Sequence, residues 1–140
     1  MNKGGPIIII EDDQDDRELI KNAFEKLKYP NKLFFFQNGE EALKYLNKPH
    51  EPTFLIMSDI NMPKLTGFEL RKKLKEDSEL EIKCIPYLFF STSNTQNEVI
   101  EAYKLSVQGF FVKPQNHHEL EKTLSVIMEY WKRCSAPNNF

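Results

Sequence analysis

Acidic side chains gather where two short apolar runs end. Glu11, Asp12 and Asp13 follow the isoleucines at 7–10, and Asp59 follows the run at 54–57. A hydroxyl, Ser91, and an ammonium, Lys113, stand at the ends of two further runs, 87–90 and 110–112. Carboxylates brought close together repel one another, and the usual remedies are a raised pKa or a bound cation. An all-oxygen set suits a hard divalent ion. Mg2+ in particular takes one or two carboxylates and fills its octahedron with waters and phosphate oxygens. With Glu11, Asp12 and Asp59 ionised, about three negative charges would meet one Mg2+ and one lysine, leaving a site near neutrality. Such a site can accept a phosphoryl group on Asp59, since aspartyl phosphate is a known covalent state. Mg2+, Lys113 and the Ser91 hydroxyl would then hold the phosphoryl oxygens. Acids and lysines also collect at loop ends simply because loops are solvated, and Glu11-Asp12 alone fits that reading equally well. The weight of the chemical reading rests on four such positions at the ends of four runs.

These residues need elements that bring them to one place. The β-branched run at 7–10 has the character of a strand covered on both faces of a parallel sheet. Leu19, Ile20, Ala23, Phe24 and Leu27 then recur at helical spacing, with Asp15 and Asp16 favouring the helix start through its dipole, before Pro30-Asn31 breaks the pattern. Residues 33–36 predict a second strand. A helix carrying Ala42, Leu43 and Leu46 follows and is stopped by Pro49 and Pro52. Strands are expected at 54–57, 87–90 and 110–112. The intervening helices carry Phe68, Leu70 and Leu74 from about Thr66, and Val99, Ile100 and Tyr103 turned inward. A long last helix presents Leu120, Leu124, Ile127, Met128 and Trp131 on one side. Five strands alternating with five helices predict an α/β fold with a parallel sheet and right-handed crossovers. In such sheets ligands bind beyond the carboxyl ends of the strands, which puts the four chemical positions on one rim.

Composition removes several classes of function. The chain has 140 residues, enough for one domain with a real core. Its 19 basic and 21 acidic residues give a net charge of -2 spread along the chain, so no basic field exists to hold nucleic acid. No apolar run approaches the roughly 18 residues needed to span a bilayer, and the N-terminus lacks the form of a signal peptide. Cys84 and Cys134 have neither CxxC spacing nor a histidine pattern for zinc, and they are expected to be reduced thiols. A protein of the cytoplasm is expected.

The motifs Ile-Ile-Ile-Ile-Glu-Asp-Asp at 7–13, Ser-Asp-Ile-Asn-Met-Pro at 58–63 with Gly67, Ser91-Thr92, and Phe-Phe-Val-Lys-Pro at 110–114 occur in the order and spacing of one known family. Over residues 6–133 the chain resembles the receiver domain of two-component response regulators, with 134–140 as a C-terminal tail. The acidic connector at 76–81 is similar to that of stand-alone receivers of the phytochrome-associated kind. The resemblance implies a flavodoxin-like, doubly wound (βα)5 fold with strand order 2-1-3-4-5. It implies Asp59 as the phosphoacceptor, Asp12 as a direct metal ligand, Glu11 as its partner through water, and the Asn61 backbone carbonyl in the metal shell. Ser91 then matches the hydroxyl that follows the phosphoryl group, and Lys113 the lysine that pairs with it. The Lys113-Pro114 bond would be cis, a form proline tolerates. Phe110, three residues before the lysine, matches the switch aromatic, without the phenolic hydroxyl that many members carry there. Alternation puts Phe111 on the opposite face, where a core role is favoured for it.

The function implied is that of a signalling switch, an enzyme only toward its own phosphorylation and dephosphorylation. The phosphoryl group would come, with Mg2+, from a phosphohistidine of a sensor histidine kinase or a histidine phosphotransfer protein. With no output domain expected after Lys113-Pro114, the signal must leave through protein contact, with a downstream target or as a homodimer. The expected surface is the one made by the fourth helix, the fifth strand and the last helix (α4-β5-α5 in the family's five-helix count). Val126, Tyr130 and Trp131 make the last helix apolar over more than one stripe, through core packing or as a partner surface. Two rivals remain. A small phosphatase of the haloacid dehalogenase type uses Asp-x-Asp, whereas position 61 is Asn. A phosphorylation-independent receiver-like interaction module would be expected to lose one of the site residues, and none is lost. An EF-hand over 11–16 lacks the glycine at its sixth position, where Asp16 stands. His50, His117 and His118 read as surface residues.

Overall fold

A computed structural model describes residues 3–135. The expected tail at 136–140 lies outside the described residues. The elements run β1 (Ile7–Ile10), α1 (Gln14–Leu27), β2 (Leu33–Phe36), α2 (Gly39–Leu46), β3 (Leu55–Ser58), α3 (Gly67–Glu76), α4 (Ser78–Glu81), β4 (Tyr87–Ser91), α5 (Gln96–Lys104), β5 (Gly109–Val112) and α6 (His117–Arg133). All five strands pair in parallel in the order β2-β1-β3-β4-β5. The expected doubly wound sheet is therefore present. One element is additional: the acidic connector closes as the single turn α4, because Asp77 caps it and Leu80 has an apolar pocket to fill.

Strand alternation divides the core in two. Ile7, Ile9, Leu55, Met57, Leu88 and Phe90 face α1 and α6, where Ile20, Phe24, Leu124 and Met128 meet them. Ile8, Ile10, Ile56, Tyr87 and Phe89 face the other side, against Ala42, Leu46, Leu70, Leu74 and Ala102. The central strands β1, β3 and β4 are buried along their whole length, as their unbroken apolar runs require.

Helix starts are marked in the sequence by capping residues. Asp13, Asn38, Thr66, Thr95 and Asn116 each accept a hydrogen bond from a first-turn N–H, and Thr66 with Glu69 and Thr95 with Glu98 form capping boxes. Asp13, Thr66, Thr95 and Asn116 follow shortly after the strand ends that carry the site.

Two expectations fail. Ile100 and Tyr103 do not turn inward: they are 44% and 66% exposed, and α5 meets the sheet through Ala102, with Leu105 packed alongside. The sheet ends at β5, so this helix has only a narrow apolar surface to cover, and an alanine lets it sit close. The Lys113-Pro114 peptide is trans, there being no cis bond among the described residues. The lysine is aimed by strand register instead, its N–H donating to the Ser91 carbonyl at 2.9 Å.

Candidate functional site

Four strand ends define a rim. Glu11 follows β1 directly, and its backbone N–H still pairs with the Phe36 carbonyl of β2 at 3.0 Å, so its side chain starts from an ordered ladder. Asp59 follows β3 in the same way, its N–H held by the Ile10 carbonyl at 3.0 Å. Adjacent strands lie about 4.8 Å apart, which brings the carboxylates after β1 and β3 together across the point where strand order reverses. Oxygens of Glu11, Asp12 and Asp59 lie within 4.8 Å of one another. Three carboxylates at that separation, with oxygen donors only and an exposed side at Asp12, fit a hard divalent cation.

Lys113 reaches the same point from β5. Its Nζ donates to the Glu11 carboxylate, to Asp59 Oδ2 at 3.3 Å and to Asp16 Oδ2 at 3.1 Å. The ammonium is buried, and so is Glu11. At an effective dielectric of about 20, each such contact carries a gross attraction of roughly 5 kcal/mol, and desolvation of the ions offsets much of it. Burial pushes the Glu11 carboxyl up to about 7; Lys113 opposes that shift, the Asp59 charge adds to it, and the Asp13 N–H opposes it. For Lys113 burial works against the charged form, but Glu11, Asp59 and Asp16 outweigh it and hold the ammonium well above its usual range.

The remaining predicted residues are placed as follows. Asp59 is only partly exposed, and its Oδ1 accepts from the Ile60 N–H at 2.7 Å, which leaves Oδ2 toward the lysine. Asn61 lies exposed two residues further along the same turn. Ser91 closes β4 between β3 and β5. It is fully buried, and its hydroxyl accepts from the Ser93 N–H at 3.2 Å rather than joining the carboxylates. Phe110 packs near Phe89, ring centroids 6.1 Å apart, on the sheet face that Ser91 also points to, whereas Phe111 packs against the α1/α6 cluster. His117 and His118 are exposed, and His50 packs beside Tyr45 at the surface. Both cysteines are free.

Two site residues carry more than the sequence reading assigned to them. Asp16 was expected only to favour the start of α1, yet it joins the lysine. The signal was its place in the first turn of a helix that begins on the rim. Gly67, read only as part of a motif, abuts the Asp59 backbone so closely that a Cβ there would lie 2.2 Å from the Asp59 carbonyl oxygen.

The family model for the response regulator receiver domain matches residues 7–125. The chain is 32% identical over 122 residues to the chemotaxis protein CheY1 of Helicobacter pylori, covering 87% of this chain and 95% of that one. Among solved structures it is similar to the phosphorylated cyanobacterial phytochrome response regulator RcpA, with a TM-score of 0.83, 28% identity, and coverage of 95% and 98%. It is also similar to the Mn2+-bound form of the response regulator Rcp1, with a TM-score of 0.79, 26% identity, and coverage of 94% and 98%. Residue order, sheet order, the acidic cluster and these likenesses agree: the chain belongs to the response regulator receiver family of two-component signalling.

Proposed function

We propose that this receiver takes a phosphoryl group onto Asp59 from a phosphohistidine of a sensor kinase or phosphotransfer protein. The observation that carries this reading is the meeting of Glu11, Asp12 and Asp59 oxygens within 4.8 Å, with the Lys113 ammonium 3.3 Å from Asp59. In the transfer an Asp59 carboxylate oxygen forms the new bond to phosphorus. The bond from phosphorus to the imidazole nitrogen breaks, and its electron pair stays on the ring. Glu11, Asp12, Asp59 and the Asn61 carbonyl would hold Mg2+, which supplies positive charge for the phosphoryl oxygens when bound. Lys113 stabilises the charge that develops on the phosphoryl group, and it is already positioned within the site. We place this exchange in the cytoplasm and the folded receiver within residues 6–133.

The signal would leave by a population shift. Ser91 turns its hydroxyl from Ser93 toward the phosphoryl group, and the Phe110 ring, on the same face, moves into the space released. The surface of α5, β5 and α6 then changes. It presents Ile100, Tyr103, Val112, Val126 and Tyr130, each more than 40% exposed, to a downstream target or a second copy of the chain. The test is labelling by acetyl phosphate with Mg2+, followed by intact mass. Wild type should gain one base-labile phosphoryl group and Asp59→Asn none; a variant that labels like wild type would refute the assignment.

A further inference from the structure

An ammonium has three N–H donors, and that of Lys113 meets three carboxylates, those of Glu11, Asp16 and Asp59. Glu11 and Asp59 belong to the group whose oxygens converge for a cation, and Asp16 does not. Asp16 projects from the first turn of α1 with its side chain 34% exposed. Together with Lys113, Thr92 and Pro114 it lines a pocket of about 200 Å³.

This fourth carboxylate changes the charge balance. Glu11, Asp12 and Asp59 against one divalent cation and one lysine sum to zero, so Asp16 leaves the ionised site with one net negative charge. It also draws on an ammonium that Glu11 and Asp59 already share and that the phosphoryl oxygens would need. Resting on the phosphoacceptor reading above, we propose that Asp16 is a specificity-determining residue that makes phosphoryl acceptance at Asp59 sensitive to the charge of the donor. A dianionic acyl phosphate is penalised most. A donor whose nitrogen leaving group carries protons, and so offsets part of the phosphoryl charge, is penalised less. Asp16 would thereby favour phosphohistidine over small metabolic acyl phosphates.

Two small donors separate this role from a structural one. Acetyl phosphate is a dianion near neutral pH; Asp59 forms its bond to phosphorus as the bond to the acetate oxygen breaks and acetate leaves. Phosphoramidate is a zwitterion with one net negative charge, and its P–N bond breaks to release ammonia. Labelling rates of the full chain are measured with both donors at saturating Mg2+, for wild type, Asp16→Asn and Asp16→Glu. Removing one charge at roughly 7 Å in a solvent-exposed setting is worth about threefold per unit of donor charge at low ionic strength, and less as salt screens it. Asp16→Asn should therefore speed acetyl phosphate labelling about threefold more than phosphoramidate labelling, with the gap closing at high salt, and should weaken Mg2+ binding measured by calorimetry. Asp16→Glu should keep the wild-type ratio of the two donors. Equal changes with both donors, tighter Mg2+ binding in Asp16→Asn, or a donor ratio in Asp16→Glu that follows Asp16→Asn would overturn the assignment. Wild type that labels with neither donor would overturn the phosphoacceptor reading itself, a result distinct from labelling that ignores Asp16.

Discussion

Gly67 offers the most direct test of how the fold holds the acceptor. It opens α3, and its backbone passes against the turn after β3. A Cβ added there would lie 2.2 Å from the Asp59 carbonyl oxygen, 2.9 Å from Phe89 Cε1 and 3.0 Å from Ile60 Cα. Gly67 has no room to retreat, because its N–H donates to the Ile60 carbonyl at 2.8 Å and its carbonyl accepts from the buried Tyr87 hydroxyl at 3.2 Å. Restoring ordinary contact takes roughly 1 Å of movement, and what must move is the peptide that follows Asp59. Overpacking of this kind costs about 1–3 kcal/mol. Gly67→Ala belongs at the upper end, since backbone rather than a flexible side chain stands in the way. Displacing a reacting group by about 1 Å costs on the order of 100-fold in rate. Urea unfolding followed by circular dichroism reads the first effect, and the acetyl phosphate labelling rate of folded protein reads the second. Gly39→Ala is the control: its Cβ would meet the Leu65 carbonyl oxygen at 2.9 Å, away from the acceptor, so it should lose stability and keep labelling. A Gly67→Ala variant with the wild-type urea midpoint and labelling rate would refute the reasoning.

Lys113→Met should abolish most labelling and leave Glu11 buried without its cation. Breaking a buried pair costs about 3–5 kcal/mol, but burial pushes the Glu11 carboxyl up to about 7 even against the lysine's pull, so without the lysine it can escape part of that cost by protonation and the loss should be smaller near pH 6 than near pH 8; equal losses at both would refute this account. Glu11 also makes metal-free protein pH-sensitive. Its folded pKa lies above the unfolded 4.5, so the stability it contributes is complete below about 4.5 and is lost as pH rises through about 7. Proton and cation compete for that carboxylate, so Mg2+ should bind more weakly near pH 6 than near pH 8 and release protons, which calorimetry in buffers of different ionisation enthalpy detects. Phe110→Ala should cost about 1–3 kcal/mol for a half-buried ring and keep labelling while blunting any phosphorylation-dependent dimerisation seen by light scattering; loss of labelling would instead make the ring structural.

Most of the fold was legible because local signals and burial agree in this chain. The strands expected at 7–10 and 33–36 are β1 and β2 as they stand, and β3, β4 and β5 each differ from expectation by a residue at one or both ends. The core strands are apolar without interruption and the helices begin at strong caps, so no tertiary contact has to override a local preference. The failures lie where tertiary contact decides. The inward face of α5 depends on how much sheet is left to cover, which Val99, Ile100 and Tyr103 cannot reveal. The turn α4 is too short for any periodicity. Within the site, strand ends identify which residues meet, but the side chains that share one ammonium depend on lengths and angles. Asp16 was therefore legible as an acid at a helix start and not as a partner of Lys113.

Sheet order also explains how one strand position serves both the lysine and the switch. Lys113 follows β5 and Asp59 follows β3, two strand spacings apart, or about 10 Å. The lysine must therefore pass over the end of β4. Its backbone is anchored there by the Ser91 carbonyl, and its Nζ still comes within 3.3 Å of Asp59 and reaches Glu11 beyond. By strand alternation the Ser91 side chain points to the Phe89 and Phe110 face, whereas Lys113 leaves β5 on the face of Phe111. Position 91 thus anchors the lysine with its backbone carbonyl and turns its hydroxyl toward the face of the switch ring, so lysine reach and hydroxyl switching are two consequences of one strand position.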